Sequence, residues 1–240
     1  MIGAVRPYLF ILLFFVLFFV SFAGCVPNAT PRSSDLVIDD MEDQTRFISS
    51  SDTYALWYVY GDNTAGAQIK PVPSSPFTME PIPGGRYASK YAMRMSGAGF
   101  SDWGAGMGFD LEYGDATDSG PAPKVAVDAR AYAGIRFWAR VGQASTTSLQ
   151  FMIVAGSCPP GDDAGAVLAS DECAVRYPKN LALTTDWVRY DIGFSELTLN
   201  PGHLPLPRDQ IYSVLFNVPA STTFDLWVDD ISWIPTAPVP

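Results

Sequence analysis

Two aspartate pairs, one near each end of the chain, have a spacing that could hold a cation. Leu36–Met41 reads LVIDDM and Leu226–Ile231 reads LWVDDI, so in each stretch an apolar run precedes two carboxylates. Across Asp229 and Asp230 the apolar positions of Phe224–Trp233 change parity, as they do at a β-bulge, which would turn both acids toward one point. We predict that the stretches are the first and last strands and that a cation joins them. The alternative, in which each pair ends a strand in a solvated turn, stays open.

A second group of residues has the chemistry of sugar recognition. Pyranose rings stack on aromatic side chains, and polar groups around the ring bind its hydroxyls. In LWYVYGDN, strand alternation places Trp57 and Val59 on one face and Tyr58 and Tyr60 on the other, so one set lines a cleft and the other packs inside. We choose the tyrosines, although each single aromatic could equally belong to the core. The predicted carbohydrate-binding residues are Tyr58, Tyr60, Asp62, Trp57 and Trp103.

Short strands with frequent turn residues must position these side chains. The 240 residues include 20 Gly and 20 Pro, 48% are hydrophobic, and no long stretch has the apolar period of a helix. We predict an all-β, two-sheet antiparallel sandwich of the jelly-roll class. The predicted strands are 36–38, 56–60, 91–95, 106–111, 135–141, 149–154, 181–183, 188–192, 211–217 and 224–233.

Charge and residue types restrict the function. With 25 acids against 15 bases and a net charge of −10, nucleic acid is not an expected partner. The single histidine, His203, lies in a Pro-rich loop without a nucleophile motif, so we expect a protein that is not an enzyme. Acids are numerous enough for a paired-carboxylate glycosidase, but no motif singles out an acid and a base.

The first 25 residues have the pattern of an export signal. Arg6 precedes an apolar run, Tyr8–Val20, that is shorter than the roughly 20 residues of a membrane span. The ending Ala23-Gly24-Cys25 resembles the lipobox of bacterial lipoproteins, with ordinary secretion or an uncleaved anchor as alternatives. We therefore expect a signal peptide at 1–24, a lipidated Cys25 and tether at 25–34, a domain at 35–235 and a tail at 236–240. The expected location is extracytoplasmic, at the outer membrane or cell surface rather than the inner membrane.

Export also bears on the other two cysteines. Once Cys25 carries lipid, Cys158 and Cys173 remain as an even pair in an oxidising compartment. We predict a disulfide between them, worth about 3 kcal/mol for a loop of this length. Zinc is the rival interpretation, but two cysteines and one distant histidine do not supply four ligands.

Several segments together resemble a known family. They are LVIDDMED, FSDWGAGMGFDL, YAGIRFWAR, LTTDWVRYDIGFSEL and FDLWVDDISW. Their order is similar to that of carbohydrate-binding jelly rolls of the galactose-binding-like superfamily, nearest to family 11. The resemblance implies a glycan cleft on one sheet or at the loop edge and a structural Ca²⁺ near the chain termini, whose ligands it places at Glu42, Asp229, Asp230 and Asp40. So many carboxylates at one point need a bound ion or an arginine partner.

From these observations we predict a lipid-anchored domain, expected to be a monomer, that binds a polysaccharide or cell-surface glycan without turning it over. A structural or protein-binding surface lipoprotein on the same frame is the alternative. A jelly-roll glycoside hydrolase or lyase is a third possibility. The three differ in what the sheet surface presents: polar residues around exposed aromatics, a flat apolar patch, or two facing acids.

Overall fold

Two antiparallel sheets make up the part of the protein that the structure describes. It is a computed structural model that describes residues 36–51, 55–115, 122–156, 175–197 and 205–236, all within the compact unit Pro31–Pro240. The predicted lipidation site Cys25, the predicted disulfide Cys158 to Cys173, and His203 lie outside these residues. In the described ranges there is no apolar helix long enough for a transmembrane span.

The described chain forms twelve strands, and a 3-10 turn, Phe194–Glu196, follows the tenth. The strands are β1 Val37–Asp39, β2 Trp57–Gly61, β3 Gln68–Lys70, β4 Glu80–Arg86, β5 Ser89–Ala98, β6 Ala105–Asp110, β7 Tyr132–Val141, β8 Ser148–Ala155, β9 Val175–Ala182, β10 Val188–Gly193, β11 Ile211–Val218 and β12 Thr223–Pro235.

The sheets have seven and five strands. The larger has the order β10-β7-β12-β5-β3, with β1 paired to β12 and β4 paired to β5, and the smaller has the order β2-β6-β11-β8-β9. In both sheets, strands that lie side by side are often far apart in the sequence, as a jelly roll requires. The predicted all-β, two-sheet antiparallel sandwich is therefore confirmed.

Alternating side chains of both sheets form the core. Phe137 of β7 comes from the larger sheet, whereas Phe151 of β8 and Phe216 of β11 come from the smaller one. The ring centroids of Phe137 lie 5.2 Å from Phe151 and 5.1 Å from Phe216, and all three side chains are fully buried. These contacts join the two sheets face to face and leave the outer face of each sheet for function.

The predicted bulge lies in β12. Pairing with β7 shifts register between Asp229 and Ser232, and Asp230 has a φ of 47°. Because of this shift, Val228 and Ile231, which have opposite parity, are both fully buried. The predicted pairing of the first and last strands also holds, since β1 pairs antiparallel with β12.

Two strands and most of a third were missed from the sequence. β3 has only three residues, and β4 contains Pro81 and Pro83 followed by two glycines, so neither has a recognisable strand pattern. β9 begins at Val175, although the sequence suggested 181, and it includes Pro178. Proline is tolerated there because β9 is the outermost strand of the smaller sheet.

Candidate functional site

Three aromatic side chains form a row on the outer face of the five-stranded sheet. Tyr58 and Tyr60 of β2 point outward and are partly buried, and they pack with Met152 of β8 outside the main core. The ring centroids of Tyr58 and Tyr60 are 5.9 Å apart, and those of Tyr60 and Trp103 are 6.0 Å apart. Trp103 is 46% exposed. The tyrosines, which we chose from the sequence, are thus the outward set.

Hydrogen bonds hold the two tyrosine rings against the sheet. The Tyr60 hydroxyl donates to Oδ1 of Asn217 at 2.5 Å, and the Tyr58 hydroxyl donates to Asp110 at 3.3 Å. A Cβ at Gly106 would lie 2.6 Å from Cζ of Tyr60, so glycine at this position allows the ring to lie across β6. Burial raises the pKa of both phenols, which therefore remain protonated donors at neutral pH.

The carboxylate of Asp110 fixes one end of this aromatic row. It is buried and accepts hydrogen bonds from the hydroxyls of Tyr113 and Ser213, each at 2.5 Å, in addition to the bond from Tyr58. The ammonium group of Lys124 lies 2.8 Å from Oδ1 and balances the charge. Sequence analysis missed Asp110. Strand alternation in β6 places Asp110 on the same outward face as Gly106, and this pattern could have identified it.

Asp62 positions the loop that carries Trp103. Its Oδ2 atom accepts the backbone N–H groups of Asp102, Trp103 and Gly104 at 3.0, 3.1 and 2.9 Å, and its Oδ1 atom accepts that of Thr64 at 3.0 Å. Burial raises the pKa of Asp62, but these hydrogen bonds outweigh it and bring the pKa down to about 2. Asp62 was predicted to touch the glycan; the structure instead gives its carboxylate a full set of backbone partners.

A cleft of about 580 Å³ adjoins Trp103 on the same face. Polar side chains from β8, β9 and β11 line it together with Trp103, and these are Ser148, Gln150, Arg176, Asn180 and Asn217. Gln150 donates to Asn180 at 3.2 Å, which links β8 to β9. An aromatic wall beside amides and a guanidinium can stack a pyranose and bind its hydroxyls. Gln150 lies between the inward-facing Leu149 and Phe151, so strand alternation in the sequence could have shown that its side chain faces outward.

Trp57 does not belong to this surface, contrary to its place among the predicted binding residues. Its side chain is fully buried, and its ring centroid lies 4.7 Å from that of Phe109 in the core. Its Nε1–H donates to Oδ2 of Asp39 at 2.7 Å. Asp39 is also fully buried, and this burial raises its pKa to about 6 despite hydrogen bonds from Trp57 and Ser49.

The predicted cation cluster brings Glu42 and Asp229 close to one serine. Ser89 Oγ lies 2.7 Å from Oδ2 of Asp229 and 3.2 Å from Oε1 of Glu42. Glu42 also accepts the backbone N–H groups of Lys90 and Tyr91 at 2.7 and 3.1 Å. Burial raises the pKa of Asp229 to about 6, even though its bonds to Ser89 and an arginine oppose that rise. Asp229 is therefore a buried residue of the strand and not the end of a strand in a solvated turn.

The positive charge in this cluster is the guanidinium of Arg86. Its Nε donates to Oδ2 of Asp229 at 3.0 Å, and its Nη2 pairs with Asp229 at 2.9 Å and with Asp230. Asp40 instead accepts the N–H of Glu42 within its own turn. No group of three or more acid, histidine or cysteine side chains in the described ranges is arranged to hold a metal ion. The guanidinium lies between the carboxylates of Asp229 and Asp230 and is the arginine partner that the sequence analysis gave as the alternative to a bound ion.

Comparisons with known proteins agree with this architecture. No protein-family model and no curated protein sequence matches the chain. Among solved structures, it is similar to the family 11 carbohydrate-binding module of the cellulosomal cellulase Lic26A-Cel5E of Clostridium thermocellum, with a TM-score of 0.50, 17% identity, and coverage of 83% of this chain and 94% of that one. It is also similar to a family 11 module from Clostridium thermocellum in complex with a β-1,3-1,4-mixed-linked tetrasaccharide, with a TM-score of 0.52, 19% identity, and coverage of 84% and 95%.

This chain has the jelly-roll fold of carbohydrate-binding modules. The likeness spans most of both chains, and at such low identity it concerns the arrangement of strands. Function on a jelly roll must be argued from the side chains of its surface. In this protein the relevant side chains are the aromatic row of Tyr58, Tyr60 and Trp103 and the polar residues that line the adjoining cleft.

Proposed function

We propose that this protein binds a polysaccharide or cell-surface glycan in the cleft beside Trp103 and does not turn it over. The observation that carries the proposal is the 46% exposed indole of Trp103 at the rim of a cleft of about 580 Å³. A large exposed aromatic costs free energy in water unless a ligand covers it. The apolar face of a pyranose ring is a ligand that fits a single indole beside polar side chains.

The polar residues of the cleft have distinct tasks in this proposal. Gln150 and Asn180 each bring amide donors and acceptors that can bind sugar hydroxyls in pairs. Arg176 is exposed on β9 and supplies guanidinium donors. Tyr60 is bonded to Asn217, which lines the cleft, so this bond holds Asn217 and the row of rings in place.

The similarity to a family 11 module supports a β-1,3-1,4-mixed-linked oligosaccharide as the first ligand to test. That module is described in complex with a β-1,3-1,4-mixed-linked tetrasaccharide. The cleft of the present chain has no acid among its lining residues in the described ranges. Retaining and inverting glycosidases use two carboxyl groups across the bond they cleave. The lining residues thus support binding without hydrolysis.

Lipid attachment at Cys25 is the second part of the proposal. A thioether-linked lipid on Cys25 would hold the 35–235 domain outside the cytoplasm, on the outer membrane or cell surface, with 25–34 as tether. Fatty-acid labelling that disappears in Cys25→Ser supports this part. Labelling that survives the substitution contradicts it.

An array of neutral oligosaccharides, including the mixed-linkage tetrasaccharide, tests the binding. We expect the purified full-length protein to bind at least one glycan and Trp103→Ala to lose at least tenfold in affinity, as for other aromatic residues at the centre of a binding site. Tyr87→Ala is the matched control, because Tyr87 is 90% exposed on the other sheet. Binding to no glycan, or equal loss in both variants, contradicts the proposal and favours a protein-binding lipoprotein.

A further inference from the structure

The outer face of the seven-stranded sheet carries a row in which arginine and tryptophan alternate. In the strand register, Trp227 of β12 lies directly opposite Arg94 of β5 on one side and Arg140 of β7 on the other. Trp187, just before β10, continues the row beyond Arg140. We call Arg94, Trp227, Arg140 and Trp187 the Arg–Trp row. It lies on the opposite side of the sandwich from the cleft beside Trp103.

The guanidinium groups of this row lie over the indole rings. Arg94 is 4.7 Å and Arg140 is 4.8 Å from the ring centroid of Trp227. Arg140 is also 5.2 Å from the centroid of Trp187, so it lies between two indoles. Arg86, at the end of β4, is 5.6 Å from the Trp187 ring. At these distances each guanidinium is attracted to the negative face of the indole ring.

Arg140 differs from the other two stacked arginines because it lacks a carboxylate. Arg94 binds both carboxylate oxygens of Asp225 at 2.8 and 3.1 Å, and Arg86 binds Asp229 and Asp230. The guanidinium of Arg140 has no hydrogen bond or ion pair with any residue that the structure describes. Its Nε atom is buried, and in those ranges it is the one buried side-chain polar atom without a partner.

An arginine in this position is prepared to bind an anion. Burial lowers the pKa of Arg140, partly opposed by the charge of Asp225, but a guanidinium stays protonated at neutral pH. The two indoles cover its faces, so the N–H groups at its edge are what remains to bind a ligand. A planar carboxylate matches these donors in a bidentate arrangement. A ligand oxygen does not reach the buried Nε, so the carboxylate would bind the two terminal Nη groups, which are not buried unpaired atoms.

Aromatic rings next to Arg140 offer a surface for the rest of the ligand. Trp187 and Trp138 are partly buried, and the Arg86 guanidinium lies 4.7 Å from the Trp138 centroid. Tyr87 is 90% exposed, and its ring centroid lies 5.7 Å from that of Trp138. Exposed aromatic surface beside a cation suits a molecule with one apolar ring face and one carboxylate.

We propose that Arg140 binds the carboxylate of an acidic sugar, a uronic acid residue of a glycan, whose ring packs against Trp187. This is a second glycan-binding site, on the sheet opposite the cleft beside Trp103, and it does not depend on the function proposed for that cleft. No covalent step is involved. The two sites would let one domain bind neutral and acidic sugars on opposite faces.

Titration of the full-length protein with tetragalacturonate tests this site. We expect saturable binding, and a loss of about tenfold or more in Arg140→Met, since a hydrogen bond to a charged group is lost. Arg136→Met is the matched control: Arg136 lies on the same strand and face, but it is paired with Asp191 at 2.7 Å. Arg136→Met and Trp103→Ala should bind tetragalacturonate as the unmodified protein does.

Three results would overturn the assignment. The first is that tetragalacturonate does not bind, or binds equally well to Arg140→Met. The second is that Trp103→Ala removes the binding, which would place the acidic sugar in the other cleft. The third is that tetraglutamate binds as tightly as tetragalacturonate, because a peptide has carboxylates without a pyranose. Arg140→Lys, which keeps the charge but lacks the planar fork, should bind with intermediate affinity and guards against a variant that does not fold.

Discussion

The Nε atom of Arg86 donates to Oδ2 of Asp229 at 3.0 Å, and neither side chain has more than 4% of its surface exposed. Arg86 ends β4, whereas Asp229 lies at the bulge of β12, so the pair links the edge of the sheet to its centre. The guanidinium also pairs with Asp230. Two adjacent carboxylates would repel without this charge. Arg86 therefore supplies positive charge at the aspartate pair of the last strand.

We predict that the stability of the domain depends on Arg86 and not on calcium. Removing one partner of a buried ion pair costs about 3 to 5 kcal/mol, which corresponds to a fall in Tm of about 10 °C for a domain of this size. Thermal unfolding of Arg86→Met should show this fall, and EDTA should leave the unmodified protein's Tm unchanged.

Arg189→Met is the control for that measurement, because Arg189 is on the same face but 51% exposed. It should change Tm by a degree or two at most. A Tm that rises with added calcium and falls with EDTA would restore the calcium site at Glu42, Asp229, Asp230 and Asp40.

Stability should decrease as the pH rises from about 4 to 6. Burial raises the pKa of Asp39 from 3.8 to about 6, with Asp43 adding to the rise and bonds from Trp57 and Ser49 opposing it. The folded protein thus binds this proton more tightly than the unfolded chain, so the stabilisation is fully present below pH 3.8 and is lost as pH rises through 6. The shift corresponds to about 3 kcal/mol. Asp229 shifts in the same direction.

Thermal unfolding at pH 5 and pH 7.5 measures this effect, since carboxylates with lowered pKa values titrate below that window. We expect a Tm several degrees higher at pH 5. Asp39→Asn removes one of the two groups and should roughly halve the difference. A Tm that is lower at pH 5 than at pH 7.5 would contradict the assignment.

Asp62→Ala should weaken neutral glycan binding although Asp62 touches no ligand in this account. Without its carboxylate, the N–H groups of Asp102, Trp103 and Gly104 lose their acceptor, and the Trp103 indole is no longer held at the cleft. We expect a loss of affinity of about tenfold with retained β-sheet circular dichroism. Asp128→Ala removes an exposed acid paired with Arg130 and should leave affinity unchanged. Full affinity in Asp62→Ala would show that the loop is positioned without it.

Local patterns predicted those features of the fold that depend on neighbours in sequence. The change of parity at Asp229 and Asp230 indicated the bulge because burial on one face leaves a period of two along the strand. Alternation in β2 separated Trp57 from Tyr58 and Tyr60, but it did not say which set faced the core. That choice depends on β6 and β11, which pack on β2 from distant parts of the chain.

Long-range partners explain the other differences. Arg86 and Asp229 are 143 residues apart in sequence, and β4, which ends in Arg86, has the prolines and glycines of a loop. The identity of the cation was therefore not accessible from the aspartate motif alone. Asp62 has the sequence context of a turn, and only the folded loop shows that its carboxylate is fully bonded by Trp103 and its neighbours.

The most direct test of glycan binding in the cleft is NMR mapping with the neutral oligosaccharide that binds most tightly in the array. We predict chemical-shift changes at the indole N–H of Trp103 and the side-chain amides of Gln150 and Asn180. The indole signals of the buried Trp57 and of Trp187 on the opposite sheet should stay unchanged. Changes confined to Trp138, Trp187 and Trp227, or the absence of change at Trp103 under saturation, would contradict the account.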